Sequence, residues 1–193
     1  MIDTTVGGHP NSSQFNFAEN VKFIHFDTTG DLPISKKRNL GCKYSIGDYI
    51  LHVDDDDVYN KYHAITRVRC LMETGIECVG STTIPCLEVA TLNGFLRGRS
   101  KETLMEATLA YTRNFWEFKQ FDEKVARGEG LLFLQNRLFD SIKQIPYIFI
   151  LEASLIHNTN ITGKDRLLNN STFSNILYSN LPEDLKIIIS FID

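Results

Sequence analysis

The sequence predicts an α/β fold, a three-layer α/β/α sandwich with a mainly parallel sheet, and three observations predict it. Short β-branched and aromatic runs alternate with segments of helical spacing along the 193 residues. Glycine, proline and asparagine clusters punctuate them. Polar chemistry gathers where strands are expected to end, above all at Asp54, Asp55, Asp56 and Asp57, which directly follow the apolar run Tyr49 to Val53. In open sheets of this type, ligands sit outside the carboxyl ends of the strands.

Taken in order, a very short strand is expected near Ile2, followed by a loop over Gly7 to Asn16, whose residues are turn formers with little apolar content. Val21 to Phe26 alternates as a short strand does, and Thr28 to Pro33 is a second loop. Ser35 to Tyr44 reads as a helix with Leu40, Cys42 and Tyr44 as its apolar or small positions. Its first turns carry Lys36, Lys37 and Arg38, the reverse of what the helix dipole prefers, which suggests an anion nearby. Tyr49 to Val53, between the Gly47-Asp48 turn and the four acids, reads as a buried strand. Val58 to Glu73 places Tyr62, Ile65, Val68 or Arg69, and Met72 at helical spacing, with Gly75 just past the end. Strands are expected over Glu77 to Gly80, Cys86 to Leu92 and Ala107 to Tyr111. Thr112 to Phe118 is a short helix carrying the sole tryptophan, Trp116, and Leu131 to Phe139 an apolar helix. Pro146 to Ile156 is a strongly apolar strand-forming run that ends at His157. Past Gly163, an Asn/Ser-rich stretch leads to Leu181 to Phe191, a terminal helix or strand suited to docking.

Composition narrows the function classes. With 42% hydrophobic and 23% charged residues the chain reads as one soluble globular domain. A net charge of −4, with no long basic segment, argues against nucleic acid or an anionic membrane as the main partner. Cys42, Cys70, Cys78 and Cys86 contain no CxxC pair and read as reduced, mostly buried thiols. No apolar run approaches the ~20 residues of a transmembrane span, and the N-terminus lacks a secretory pattern, so a cytoplasmic protein is expected. The Asn-X-Ser/Thr matches at Asn11, Asn160, Asn169 and Asn170 read as polar loop residues.

Four consecutive carboxylates repel one another, and placing them at the end of a buried strand costs stability unless a cation or hydrogen-bond donors offset the charge. In an extended segment Asp54 and Asp56 would project to one side and act together. Oxygen ligands favour Mg²⁺ or Mn²⁺. The competing reading is a solvated acidic loop in which Asp57 caps a helix beginning near Val58. Arg38, followed by Asn39, is a candidate diphosphate contact, whereas Lys36 and Lys37 read as a solvated helix face. Glu129 lies between Gly128 and Gly130 at the start of a helix, where it is either a general base or an acid stabilised by the helix dipole. His157 is a candidate metal ligand, with a structural role as the alternative.

Read together, Lys37-Arg38-Asn39-Leu40-Gly41, Gly47-Asp48-Tyr49-Ile50 and Val53 with Asp54 to Asp57 resemble the heart of family-2 glycosyltransferases of the GT-A fold. Downstream, Ala107 to Arg113, Phe115-Trp116-Glu117 and Arg127-Gly128-Glu129 resemble that family's acceptor-side strand, helix and Gly-Glu-Asp segment, and His157 with Asn158 a late His/Asn feature of some members. The resemblance covers Val21 to Thr162. It implies a GT-A-like domain over residues 1–193, with 1–80 as the nucleotide- and metal-binding half, 81–162 as the acceptor-side half and 163–193 as a C-terminal extension. It implies inverting transfer from a nucleoside-diphosphate sugar, a UDP-sugar first, to a glycan or protein acceptor. Asp56, Asp54 and His157 would serve the metal, Arg38, Asn39, Asp54 and Asp55 the donor diphosphate and ribose, and Glu129 would be the base. Relative to the family, the first strand and helix of the nucleotide-binding half are expected to be lacking, so a homo-oligomer or partner chain would complete the base pocket. Gly130 stands where many relatives carry the aspartate of Glu-Asp, leaving Glu129 to serve alone. Two alternatives stay open: a truncated, non-catalytic remnant acting as a binding or assembly module, and another Mg²⁺-dependent phosphoryl- or nucleotidyl-transfer enzyme. The absence of a GxxxxGK[ST] loop lowers the latter.

Overall fold

The computed structural model describes residues 32–91, 93–98, 103–125 and 128–157, together with the backbone of two short parallel strands, β1 (Ile2–Asp3) and β2 (Ile24–His25). The expected loop over Gly7 to Asn16, the segment after Gly163, and Arg127, Asn158 and Asn160 lie outside the described residues. The chain divides into two compact units. One runs through Ile50 and resumes over Arg113–Gln135; the other comprises Leu51–Thr112 and the chain from Asn136 on.

In the first unit, α1 spans Ile34–Tyr44, as the sequence predicts to within one residue, with Pro33 before it and no acid in its first turn. Its buried positions are Ser35, Asn39 and Cys42, not the Leu40/Cys42/Tyr44 stripe expected, and Tyr44 is exposed. The inward stripe is polar because α3 (Arg113–Phe118) and the segment after it bring backbone and indole groups that only polar side chains can satisfy. Arg113 closes the far end of α1, donating to the carbonyls of Cys42, Ser45 and Gly47 at 2.8–3.1 Å. Phe115, Phe121 and Phe133 form the apolar centre, with Phe121 stacked on Phe133 at 4.0 Å between ring centroids. α4 runs over Glu129–Leu134, shorter than the expected Leu131 to Phe139 and begun by Gly128 in the left-handed region. Any side chain at Gly128 would be strained by that conformation (φ 75°).

There are two four-stranded sheets, all but the first two residues of one strand in the second unit. β3 (Tyr49–Leu51), along which the chain passes from one unit to the other, β8 (Ala110–Thr112), β5 (Cys78–Gly80) and β9 (Ile142–Gln144) form one, in the order β3-β8-β5-β9. β4 (Asp57–Tyr59), β10 (Leu151–Ile156), β6 (Thr83–Glu88) and β7 (Asn93–Gly98) form the other, in that order. Pairing is mixed rather than mainly parallel. β10 runs parallel to β6 and β5 to β9, while β4–β10, β5–β8 and the long β6–β7 hairpin are antiparallel. Only β6–β7 is a hairpin, its connection too short for a helical crossover, whereas β4–β10 and β5–β8 join strands distant in the chain. Leu87, Val89, Ala153 and Leu155, with Val58, pack on one face of the second sheet.

Several elements differ from expectation. The buried strand Tyr49 to Val53 is three residues long and only Ile50 within it is buried, while Val53 is exposed. Val58 belongs to a strand, and α2 begins at His63, ending at Thr74 with Gly75 in the predicted left-handed cap. α2 turns a different face inward: Arg67 and Leu71 are buried, whereas Tyr62, Ile65 and Met72 are exposed. The strand expected over Cys86 to Leu92 starts and ends earlier, and the one expected over Ala107 to Tyr111 is a 3₁₀ turn (Glu106–Thr108) followed by β8. Pro146 to Ile156 likewise splits into a 3₁₀ turn (Tyr147–Phe149) and β10. The four thiols are unpaired as disulfides; Cys42, Cys78 and Cys86 are buried and Cys70 is half-buried. Burial pushes the Cys78 thiol well up and that of Cys86 up to about 12.

Candidate functional site

The candidate residues form two groups, each within one unit. In the second unit the four aspartates occupy a turn between β3 and β4. Asp55 and Asp56 are its corner, Asp57 N–H reaches back to the Asp54 carbonyl at 3.4 Å, and Asp57 is the first residue of β4. The period-two reading of Asp54 and Asp56 therefore does not apply, and Asp57 is a sheet residue instead of a helix cap. Four acids in a row carry no apolar alternation from which a strand start could be read.

Register places the turn. Across the sheet, Asp57 lies opposite Ser154, Ser154 beside Cys86, and Cys86 opposite Phe95. The carboxyl ends of β6 and β10 thus share an edge with the start of β4, and the residue after β10 is His157. Its Nε2 lies 3.1 Å from Asp56 Oδ2, although 101 residues separate the two. Asp54 is half-buried and Asp55 exposed. Burial raises the Asp57 carboxyl to about 7; a hydrogen bond with Ser154 opposes this, and the charges of Asp54 and Asp56 add to it. Glu88, buried at the same edge and hydrogen-bonded by the Thr91 hydroxyl, is a carboxylate that no sequence pattern singled out.

The donor set fits a cation of the Mg²⁺/Mn²⁺ class held by few protein atoms. Two cis ligands about 2.1 Å from an octahedral metal lie about 3 Å apart, close to the Asp56–His157 separation. Burial is the main cause of the raised Asp57 carboxyl, and the charges of Asp54 and Asp56 add a smaller part that a divalent ion would offset. Among the described residues, no three or more His, Cys, Asp or Glu side chains are grouped so that they could hold a metal ion. Such ions commonly take one or two carboxylates and complete their shell with water and phosphate oxygens.

In the first unit, the structure brings Arg38 and Glu129 together, Nε to Oε1 at 3.6 Å, both side chains nearly buried. Glu129 is the first residue of α4, as the sequence predicts. Asn39 faces away from this pair. Its Nδ2 donates to the Phe121 carbonyl (2.9 Å) and Glu123 (3.0 Å), and its Oδ1 accepts from Trp116 Nε1 (3.1 Å) and Phe121 N–H (3.0 Å). Both donors and both lone pairs of the amide are engaged inside the unit, so the diphosphate contact expected of Asn39 has no group left to make it. Among the described residues no helix is long and apolar enough to cross a membrane.

No protein-family model and no curated protein sequence matches the chain. Solved structures do. The crystal structure of S. aureus TarS 1-349 in complex with UDP-GlcNAc matches 90% of this chain and 49% of that one, with a TM-score of 0.53 and 18% identity. TarS 1-349 in complex with UDP matches 71% and 44% (TM-score 0.49, 19% identity), and TarS 1-349 matches 72% and 42% (0.45, 19%). This chain spans about half the length of the TarS chain. At 18% identity the likeness is one of fold alone, that of a mixed α/β domain.

Proposed function

We propose that the chain is a nucleotide-sugar glycosyltransferase domain, dependent on a divalent cation and inverting, which transfers a sugar from a UDP-sugar to an acceptor hydroxyl. The observation that carries this reading is the turn of four aspartates with His157 against Asp56, in a chain that shares its fold with TarS, a protein whose structure contains UDP-GlcNAc.

Asp56 and His157 would hold Mn²⁺ or Mg²⁺, with Asp54 in the metal shell or at the ribose and Asp55 on the donor side. An imidazole beside carboxylates moves the preference from Mg²⁺ toward Mn²⁺. When bound, the ion would neutralise charge on the departing diphosphate. Within the first unit, Arg38 offers a guanidinium whose fork is matched to phosphate oxygens. Glu129 accepts the proton of the acceptor hydroxyl as the new oxygen–carbon bond forms at the anomeric carbon and the bond to the diphosphate breaks, so configuration inverts. Its ion pair with Arg38 engages Oε1 and fixes the carboxylate's orientation.

Isothermal titration with UDP tests the reading. Binding is expected in Mn²⁺ and not in excess chelator; absence of metal-dependent nucleotide binding overturns it. Thermal-shift screening of sugar nucleotides in Mn²⁺ then identifies the donor. One observation favours a second reading, a non-catalytic binding module: the carboxylate assigned as base is closed against an arginine. That module would bind UDP with Mn²⁺ yet release none from any UDP-sugar.

A further inference from the structure

The acidic turn is tied to the rest of its unit at both ends. At its exit, Asp57 is held in β4 by pairing with Ser154 of β10. At its entry, the Asp54 N–H donates to the Tyr59 hydroxyl at 2.9 Å, and that hydroxyl donates to the Ala107 carbonyl at 3.0 Å. One phenol thus bridges the first residue of the turn to the segment before β8. Below the ring lies Arg67, fully buried, its guanidinium carbon 5.9 Å from the ring centroid.

Arg67 donates from Nη1 to the carbonyls of His52, Thr108 and Leu109 at 3.1–3.2 Å, from Nε to the His63 carbonyl, and from Nη2 to His63 Nδ1. His63 in turn lies against the Tyr59 ring, 4.9 Å between centroids. A buried guanidinium with no carboxylate among these partners costs desolvation, offset here by carbonyls and a ring face. Burial lowers Arg67 to about 10, so it stays protonated at neutral pH. The carbonyls it gathers belong to the residue two before Asp54 and to those directly after Ala107. Arg67 and Tyr59 therefore pin the same two strands of chain, one by carbonyls and the other through the Asp54 N–H.

We propose that Tyr59, supported by Arg67, is a positioning residue that presets the acidic turn for a divalent cation, so that Asp56 need not be ordered when the ion arrives. The proposal rests on the donor-site reading above. Preordering matters because the turn crowds four carboxylates whose repulsion favours splayed conformations, and every conformer excluded beforehand is a cost removed from binding. Groups that orient metal ligands from behind commonly govern affinity about as strongly as ligands do.

Tyr59→Phe removes one oxygen and keeps the ring on Arg67. Mn²⁺ binding by the full chain, followed by electron paramagnetic resonance of the free ion, is expected to weaken about 10- to 100-fold, the range for such supporting groups. Hydrogen exchange at Asp54 should accelerate while α2 keeps its protection. Tyr111→Phe is the matched control, since Tyr111 is a buried tyrosine of the same unit whose hydroxyl meets the His52 ring at 2.7 Å. It should leave Mn²⁺ affinity within about twofold, though each variant removes a hydrogen-bonded tyrosine hydroxyl. Arg67→Lys, which keeps the charge and loses the fork, should lower both thermal stability and Mn²⁺ affinity. Equal Mn²⁺ affinity in wild type and Tyr59→Phe, or equal weakening in the two phenylalanine variants, overturns the positioning role alone. A wild type that binds neither Mn²⁺ nor UDP overturns the donor-site reading and this inference with it.

Discussion

The two groups of candidate residues handle charge in opposite ways. In the first unit the charges are balanced where they stand: Arg38 meets Glu129, and the neighbouring Asn39 has every polar atom engaged. In the second unit like charges are concentrated. Four aspartates share one turn, Asp56 lies against His157, and burial first, then the neighbouring carboxylates, drives Asp57 toward its neutral form. A region whose charges cancel is stable as it is; a region with surplus negative charge is stable only while something offsets it. On the proposed reading the acidic turn is the place that takes an external cation, and Arg38–Glu129 is a preassembled pair that does not.

The largest effect should follow from removing the cation's anchor. Asp56→Ala is expected to abolish Mn²⁺-dependent UDP binding in calorimetry, whereas Glu129→Gln leaves donor binding in place and removes turnover. Equal donor affinity in wild type and Asp56→Ala would break the contrast between the units. Next comes Asn39→Ala, which leaves the Trp116 N–H and the Phe121 N–H and carbonyl without their partner. Denaturant unfolding should show about 2–4 kcal/mol lost, several times the worth of one exposed hydrogen bond. The smallest effect is a pH slope. Asp57 is raised from 3.8 to about 7, so between these values the folded protein holds a proton that the unfolded chain releases. The stability from its neutral form is complete below pH ~4 and is lost as pH rises toward ~7. Asp57→Asn stays neutral throughout, so its melting temperature should gain on wild type across that window and level off above it. A parallel pair of curves would mean that the Asp57 carboxyl is not raised in the folded protein.

Much of this was legible in the sequence, for identifiable reasons. The limits of α1, the αL cap at Gly75, the strand at Cys78 to Gly80 and the position of Glu129 at a helix start all rest on local signals: a proline before, a glycine after, a β-branched run. What escaped depends on partners distant in the chain. The inward face of α2 was read from Tyr62, Ile65 and Met72, but the fold buries Arg67, because five acceptors from three segments converge on its guanidinium. Periodicity of apolar residues contains no term for that. β7 escaped because Asn93-Gly94 and Gly98 resemble turn residues, and only pairing with β6 makes the segment extended. Asn39 illustrates the converse: its neighbour Arg38 made it look like a ligand, while its amide had been claimed by Trp116 and Phe121, some 80 residues on.

The cysteines carry a practical consequence. Cys70 is half-buried on α2, whereas Cys42, Cys78 and Cys86 are enclosed, and burial holds the Cys78 and Cys86 thiols far from the reactive thiolate. An alkylating reagent therefore meets the native protein first at Cys70. The other three react only when the surrounding structure opens, and they are distributed between the units, Cys42 in the first and Cys78 and Cys86 in the second. Quenched alkylation read by mass spectrometry can thus time the breathing of each unit separately, using clocks already built into the natural chain.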